Sequence, residues 1–172
     1  MKLKLSVMAI LAIFATNTFA EKNTVSLGYA QTKVEDAIDL KGFNVTYRYA
    51  LNEPFSILAS ASYQSGDEKW GDEYGNGELE VKYISVLAGP AYRLNEFFSV
   101  YALGGFAQAK IKDQFLSSNE YDNYSAKKTA FAYGAGVIVN PTPTLSVNVG
   151  YEGTTIDSAK FNGFNIGVGY SF

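Results

Sequence analysis

Residues able to move a proton or ligate a metal are scarce in this chain. It contains no histidine and no cysteine, which removes the usual partners of a serine or cysteine nucleophile and the common transition-metal ligands. Carboxylates and cations remain. Arg48, Arg93 and Glu152 fall on the same, non-bulky side of their segments by alternation, so all three are assigned to an interior. Charges enclosed in a narrow interior must pair, and interior ion pairing is expected of them rather than catalysis. The segment 66–78, GDEKWGDEYGNGE, is acidic and carries the single tryptophan. Carboxylates suit a calcium ion, but the ordered ligand spacing of a dedicated site is missing, so no metal or cofactor is expected. Trp70 and Tyr74 here, with Tyr121 and Tyr124 further on, are large rings in polar surroundings. Such rings anchor protein contacts, or else belong to an interfacial aromatic girdle. Lys33, Lys41, Lys110, Lys112, Lys127 and Lys128 offer ammonium groups that could hold phosphate, or could simply snorkel at a membrane rim.

These groups need strands to position them, and the last ten residues show what kind. In Gly163-Phe164-Asn165-Ile166-Gly167-Val168-Gly169-Tyr170-Ser171-Phe172 every even position is large and apolar and every odd one small or polar. A bulky face opposite a face of glycine, serine and asparagine suits a strand with lipid on one side and a crowded barrel interior on the other. The same alternation runs through Val25, Leu27 and Tyr29, then Phe43 to Leu51, Phe55 to Tyr63 with Leu58 as a misfit, and Ile84 to Tyr92. It continues less cleanly after Phe98, then clearly in Phe131 to Val139 and Leu145 to Tyr151. Pro90 donates no hydrogen bond, so a bulge or local edge is expected there.

Eight strands result, and their connections alternate in length. Residues 32–41, 65–80, 113–128 and 154–160 read as long polar loops, whereas 52–54, 94–96 and 140–143 read as tight turns. An even strand number with short turns at one rim and long loops at the other predicts an all-β fold, an eight-stranded antiparallel up-and-down transmembrane β-barrel. The competing fold is a soluble barrel with its apolar faces turned inward around a ligand. An eight-stranded interior is filled by side chains, which argues against a diffusion pore.

Lys2 and Lys4 precede an apolar run from Leu5 to Phe14, and Thr18-Phe19-Ala20 is small at both positions a signal peptidase reads. Residues 1–20 are therefore expected to be a cleaved secretory signal and 21–172 the barrel domain. A net charge of −3 gives no support to nucleic-acid binding. The expected location is the bacterial outer membrane, with both termini periplasmic and four loops outside. A closed barrel has no edge that demands a partner, so a monomer is expected.

At Gly42-Phe43-Asn44-Val45-Thr46-Tyr47-Arg48-Tyr49, at Ala88-Gly89-Pro90-Ala91-Tyr92-Arg93, at Tyr133-Gly134-Ala135-Gly136 and along the closing strand, the sequence resembles the OmpX/Ail/Lom family of enterobacterial outer-membrane proteins. The resemblance implies an eight-stranded barrel and, in some members, loop-mediated adhesion, invasion or complement resistance, with host surface or serum proteins as the partners. From the residues themselves, no enzymatic activity is expected, and the lysines are expected to meet outer-membrane lipid and lipopolysaccharide. Three positions depart from the family pattern: Thr46 stands for a basic residue, Ala50 for an acidic one, and Ser171 for a basic one. A purely structural barrel without an external partner is the alternative. A lipid-modifying barrel enzyme is disfavoured by the missing histidine.

Overall fold

The computed structural model describes residues 23–34, 38–72, 75–117 and 120–172. Eight strands, β1 (Asn23–Val34), β2 (Asp39–Asn52), β3 (Phe55–Asp72), β4 (Gly75–Arg93), β5 (Phe98–Ser117), β6 (Glu120–Val139), β7 (Leu145–Ile156) and β8 (Ala159–Ser171), follow one another round a closed barrel. Every neighbouring pair is antiparallel, including β8 with β1. The Thr24 and Ser171 hydroxyls lie 2.9 Å apart across that last seam. The register sets the stagger. A row of partners that leaves β1 at Ser26 passes through Thr46, Ser60, Leu87, Gly105, Ala132, Thr154 and Phe161. It returns to β1 at Val34, eight residues on. Eight strands with this shear tilt by about 36° to the barrel axis.

Side chains sort by the parity read from the sequence. Phe106 is 66% exposed and its neighbour Ala107 only 1%, because successive residues of a strand face opposite ways. The outer surface carries Leu27, Val45, Ile57, Val86, Val149, Ile166 and Val168 in its middle. Aromatic rings flank this band. Phe55 and Tyr92 meet edge-to-face at 5.3 Å near the termini, and Phe43 and Tyr63 pair at 5.8 Å toward the other end. Apolar surface of this extent is stable only in contact with lipid.

The interior is packed and has two zones. Toward the hairpin end, Val34, Ile38, Leu40, Val81, Tyr83, Ala109, Ile156 and Phe161 form an apolar plug, with the Tyr83 and Phe161 rings stacked at 5.7 Å. Toward the termini, polar side chains predominate: Thr24, Ser26, Thr46, Arg48, Ser99, Ser146, Asn148 and Ser171 are buried, with Leu58, Tyr101 and Ile138 among them. Glycine makes room for the larger of these. A Cβ at Gly136 or Gly150 would collide with the Tyr101 hydroxyl.

Two expectations are corrected. The long polar segments are largely strand: β3 and β4 pair out to Asp72 and Gly75, and β5 and β6 out to Ser117 and Glu120. Residues 154–160 are no loop either, because Ile156 pairs with Ala159 across Asp157 and Ser158, both with positive φ. Two such residues make the hairpin turn whose twist matches that of the flanking strands. Around Pro90 the expected interruption takes the form of a local edge: the register is the same on both sides, and Gly89 and Pro90 drop out of the β4–β5 ladder. The bulge lies instead between Ala50 and Asn52. Leu58, the misfit of strand three, is 1% exposed and fills the interior.

Candidate functional site

Past the apolar band the outward faces turn cationic. Lys41 pairs with Ser65, Ser65 with Lys82, Lys82 with Lys110, and Lys110 with Lys127. One transverse row of the sheet therefore holds four lysines on β2, β4, β5 and β6. Neighbouring strands lie about 4.8 Å apart, close enough for several ammonium groups to meet one polyanion. The stagger makes the row climb along the barrel axis, spreading it over about 10 Å. Lys33 stands opposite Asp39 on the same face. Lys112 lies one outward position beyond Lys110, opposite Glu80 and Ser125, and its side chain is outside the described residues.

Among the described residues, Lys82 and Lys128 lie against carboxylates. Lys82 Nζ is 2.6 Å from Glu80 Oε1, and Lys128 Nζ is 3.1 Å from Asp157 Oδ2 at the β7–β8 turn. Lys128 has the inward parity of Ala130 and Ala132, so it stands off the row that Lys127 joins. Lys82 escaped the sequence reading because the polar segment 65–80 hid where β4 begins; its alternation with Ile84 and Val86 was the available signal.

Beyond the lysines, β3 to β6 continue as one four-stranded sheet. β2 stops pairing with β3 at Lys41–Ser65 while β3 runs on to Asp72, and the β6–β7 ladder begins only at Ala132–Thr154 although β6 starts at Glu120. The backbone places Trp70 opposite Gly77, Tyr121 opposite Leu116 and Tyr124 opposite Asp113, all on this extension. Their side chains, and Tyr74 altogether, lie outside the described residues.

The expected interior ion-pair network of Arg48, Arg93 and Glu152 does not form among the described contacts. Glu152, 5% exposed, accepts a 2.6 Å hydrogen bond from the Tyr83 hydroxyl on the opposite wall. Arg93 lies at the rim and pairs with Glu53 of the β2–β3 turn. Arg48 is buried on β2 with its Nε unpartnered. Glu152 stands on β7, well round the barrel from Arg48 on β2 and Arg93 on β4, and the two arginines are of like charge. A separate network joins β2 to β3: Asn44 Nδ2 donates to Ser60 and Ser62 at 2.8 and 3.0 Å, and the Thr46 hydroxyl donates to Asn44 Oδ1 at 2.9 Å.

A closed eight-stranded barrel with a lipid-compatible exterior, aromatic flanks and a filled interior is built as an outer-membrane β-barrel. Residues 6–172 match the outer membrane protein beta-barrel domain, and the chain belongs to that family. It is 46% identical over 164 residues to the virulence membrane protein PagC of Salmonella typhimurium, covering 89% of this chain and 88% of that one. It is 37% identical over 176 residues to the attachment invasion locus protein of Yersinia enterocolitica, covering 97% and 96%. The crystal structure of Ail from Yersinia pestis, in complex with the heparin analogue sucrose octasulfate, superposes with a TM-score of 0.78 at 33% identity, covering 90% of this chain and 100% of that one. These relatives bear out the family resemblance, and they are named for virulence and attachment, not for a reaction.

Proposed function

We propose that this outer-membrane barrel displays the β3–β6 sheet outside the cell as a contact surface and anchors it in the outer leaflet through the lysine row. In this reading residues 1–20 are a cleaved signal, both termini are periplasmic, and the protein acts as a monomer. The observation that carries it is the register row Lys41, Lys82, Lys110 and Lys127 at the base of the strand extension. Lipopolysaccharide presents phosphate at that height, and clustered ammonium groups bind phosphate by charge-assisted hydrogen bonds. Above the row, the β3 and β6 edges run past their barrel partners, and a strand edge offers backbone donors and acceptors to an extended segment of another protein. Trp70, Tyr74, Tyr121 and Tyr124 would supply the anchoring rings. The complex of Ail with a heparin analogue supports a polyanionic partner.

Orientation is tested by labelling intact cells that carry single cysteines at Trp70, Tyr121 or Thr142; the chain has no cysteine of its own. Labelling at the first two with Thr142 protected is the expected result, and the reverse pattern overturns it. Shortening both long hairpins then separates the contact role from a purely structural one. Lost host-cell attachment or serum survival with an intact barrel supports contact, and unchanged attachment and survival remove it. Replacing Lys41, Lys110 and Lys127 by glutamine should weaken lipopolysaccharide binding in a salt-dependent manner, and unchanged binding at low salt removes the anchoring role.

A further inference from the structure

Arg48 is a charge without a visible partner. Its side chain points into the terminus-end half of the barrel, it is 4% exposed, and its Nε meets no acceptor among the described residues. A guanidinium cannot shed its proton to escape burial, so it requires a counter-charge or a full set of hydrogen bonds. The neighbouring inward positions offer no carboxylate. On its own strand the next inward residue toward the mouth is Ala50, and across the β2–β3 ladder Arg48 faces Leu58 and Ala50 faces Ser56. The one buried carboxylate among the described residues, Glu152, is engaged by Tyr83. The charge that bears on Arg48 is of like sign: the guanidinium of Arg93, two strands away.

The same mouth has further groups with unused capacity. Arg93 shares its charge with Glu53, but that carboxylate is largely in solvent, and such a pair is weak and easily exchanged. Ser99 on β5 sits opposite Arg93 in register, is 2% exposed, and its hydroxyl has no partner. Two guanidinium groups and a free hydroxyl thus lie on β2, β4 and β5, with the small side chains of Ala50 on β2 and Ser56 on the intervening β3 between them.

We propose that the terminus-end mouth of the barrel binds a small oxyanion of the phosphate class, held from within by Arg48 and at the rim by Arg93 and the Ser99 hydroxyl. A tetrahedral oxyanion offers several acceptors to a guanidinium fork and neutralises both arginines at once. The site faces the interior rather than the lipid, which favours a soluble anion over a headgroup as the source.

The test uses the folded full-length barrel in maltoside micelles, which contain no phosphate. Inorganic phosphate is titrated at constant ionic strength against chloride, followed by phosphorus NMR line broadening and by thermal unfolding. Saturable broadening with a matching rise in melting temperature is expected. Ala50→Glu places a carboxylate beside Arg48 and should abolish the phosphate response while raising the melting temperature in phosphate-free buffer. Arg93→Gln should bind about tenfold more weakly, the loss of one charge-assisted hydrogen bond. Absence of a phosphate-specific response in the unmodified protein, or an undiminished response in Ala50→Glu, overturns the proposal. Dihexanoyl phosphatidylglycerol added in place of inorganic phosphate separates the sources. Competition with inorganic phosphate identifies a headgroup ligand, and its absence leaves the soluble anion.

Discussion

The β7–β8 and β5–β6 hairpins are built from the same ladder and differ in almost everything else. β7 and β8 have 12 and 13 residues, close at Asp157 and Ser158, and alternate between bulky and small through residues 145–152 and 163–171. β5 and β6 have 20 residues each, and only their barrel halves alternate in that way. Where one face meets lipid and the other a packed interior, the two faces demand different residues. Where the β5–β6 hairpin runs past its barrel neighbours, that demand lapses and the backbone pairing continues through a sequence without the bulky–small alternation. The contrast says that sequence alternation here reports the lipid, not the strand.

Substitutions can break or sharpen this contrast. The largest effect is expected inside the barrel half. Gly150→Val drives a side chain into the Tyr101 hydroxyl and should prevent folding, seen as failure to gain β circular dichroism on refolding into micelles. On the outer band, Val168→Arg should cost about 2–4 kcal/mol in lipid, measured by denaturant unfolding from liposomes; arginine in place of Ser125 on the hairpin extension should cost almost nothing. Tyr83→Phe leaves the buried Glu152 carboxylate without its donor and should cost about 1–3 kcal/mol. At the small end, Asp157→Asn removes the exposed pair with Lys128. It should shift stability by less than about 1 kcal/mol, and by nothing measurable at high salt. Equal penalties at Val168 and Ser125 would show that lipid does not divide the strand into two regimes.

The same contrast explains what the sequence made legible. Strand faces were readable wherever lipid imposed them: Leu27, Phe43, Val86, Phe131 and Val168 were assigned outward and are exposed. Tight turns at 52–54, 94–96 and 140–143 were readable from their asparagine and proline. The extensions of β3 to β6 were not, because their polar composition is that of a loop. Interior pairing was illegible for another reason. Parity says that Arg48 and Glu152 point inward, but which inward residues meet depends on the stagger between strands, and no local pattern encodes it. Glu152 accordingly finds Tyr83, 69 residues away. The lysine row was half visible: the lysines stood out one by one, while their alignment through Ser65 and Lys82 needed the register.

The seam between β1 and β8 has a consequence for how this molecule can change. Seven of the eight ladders join strands that are neighbours in sequence, and only this one, closed by Thr24 and Ser171 at a separation of 147 residues, joins the two ends of the barrel. The entropy of closing such a loop grows only as the logarithm of its length, so doubling the intervening chain would add about 0.6 kcal/mol. Residues inserted at the tips of the β3–β4 or β5–β6 hairpins lengthen that loop by a small fraction and leave every barrel pairing in register. The hairpins can therefore grow, shrink or be exchanged for foreign peptides at almost no cost to closure, which makes this barrel a scaffold for surface display.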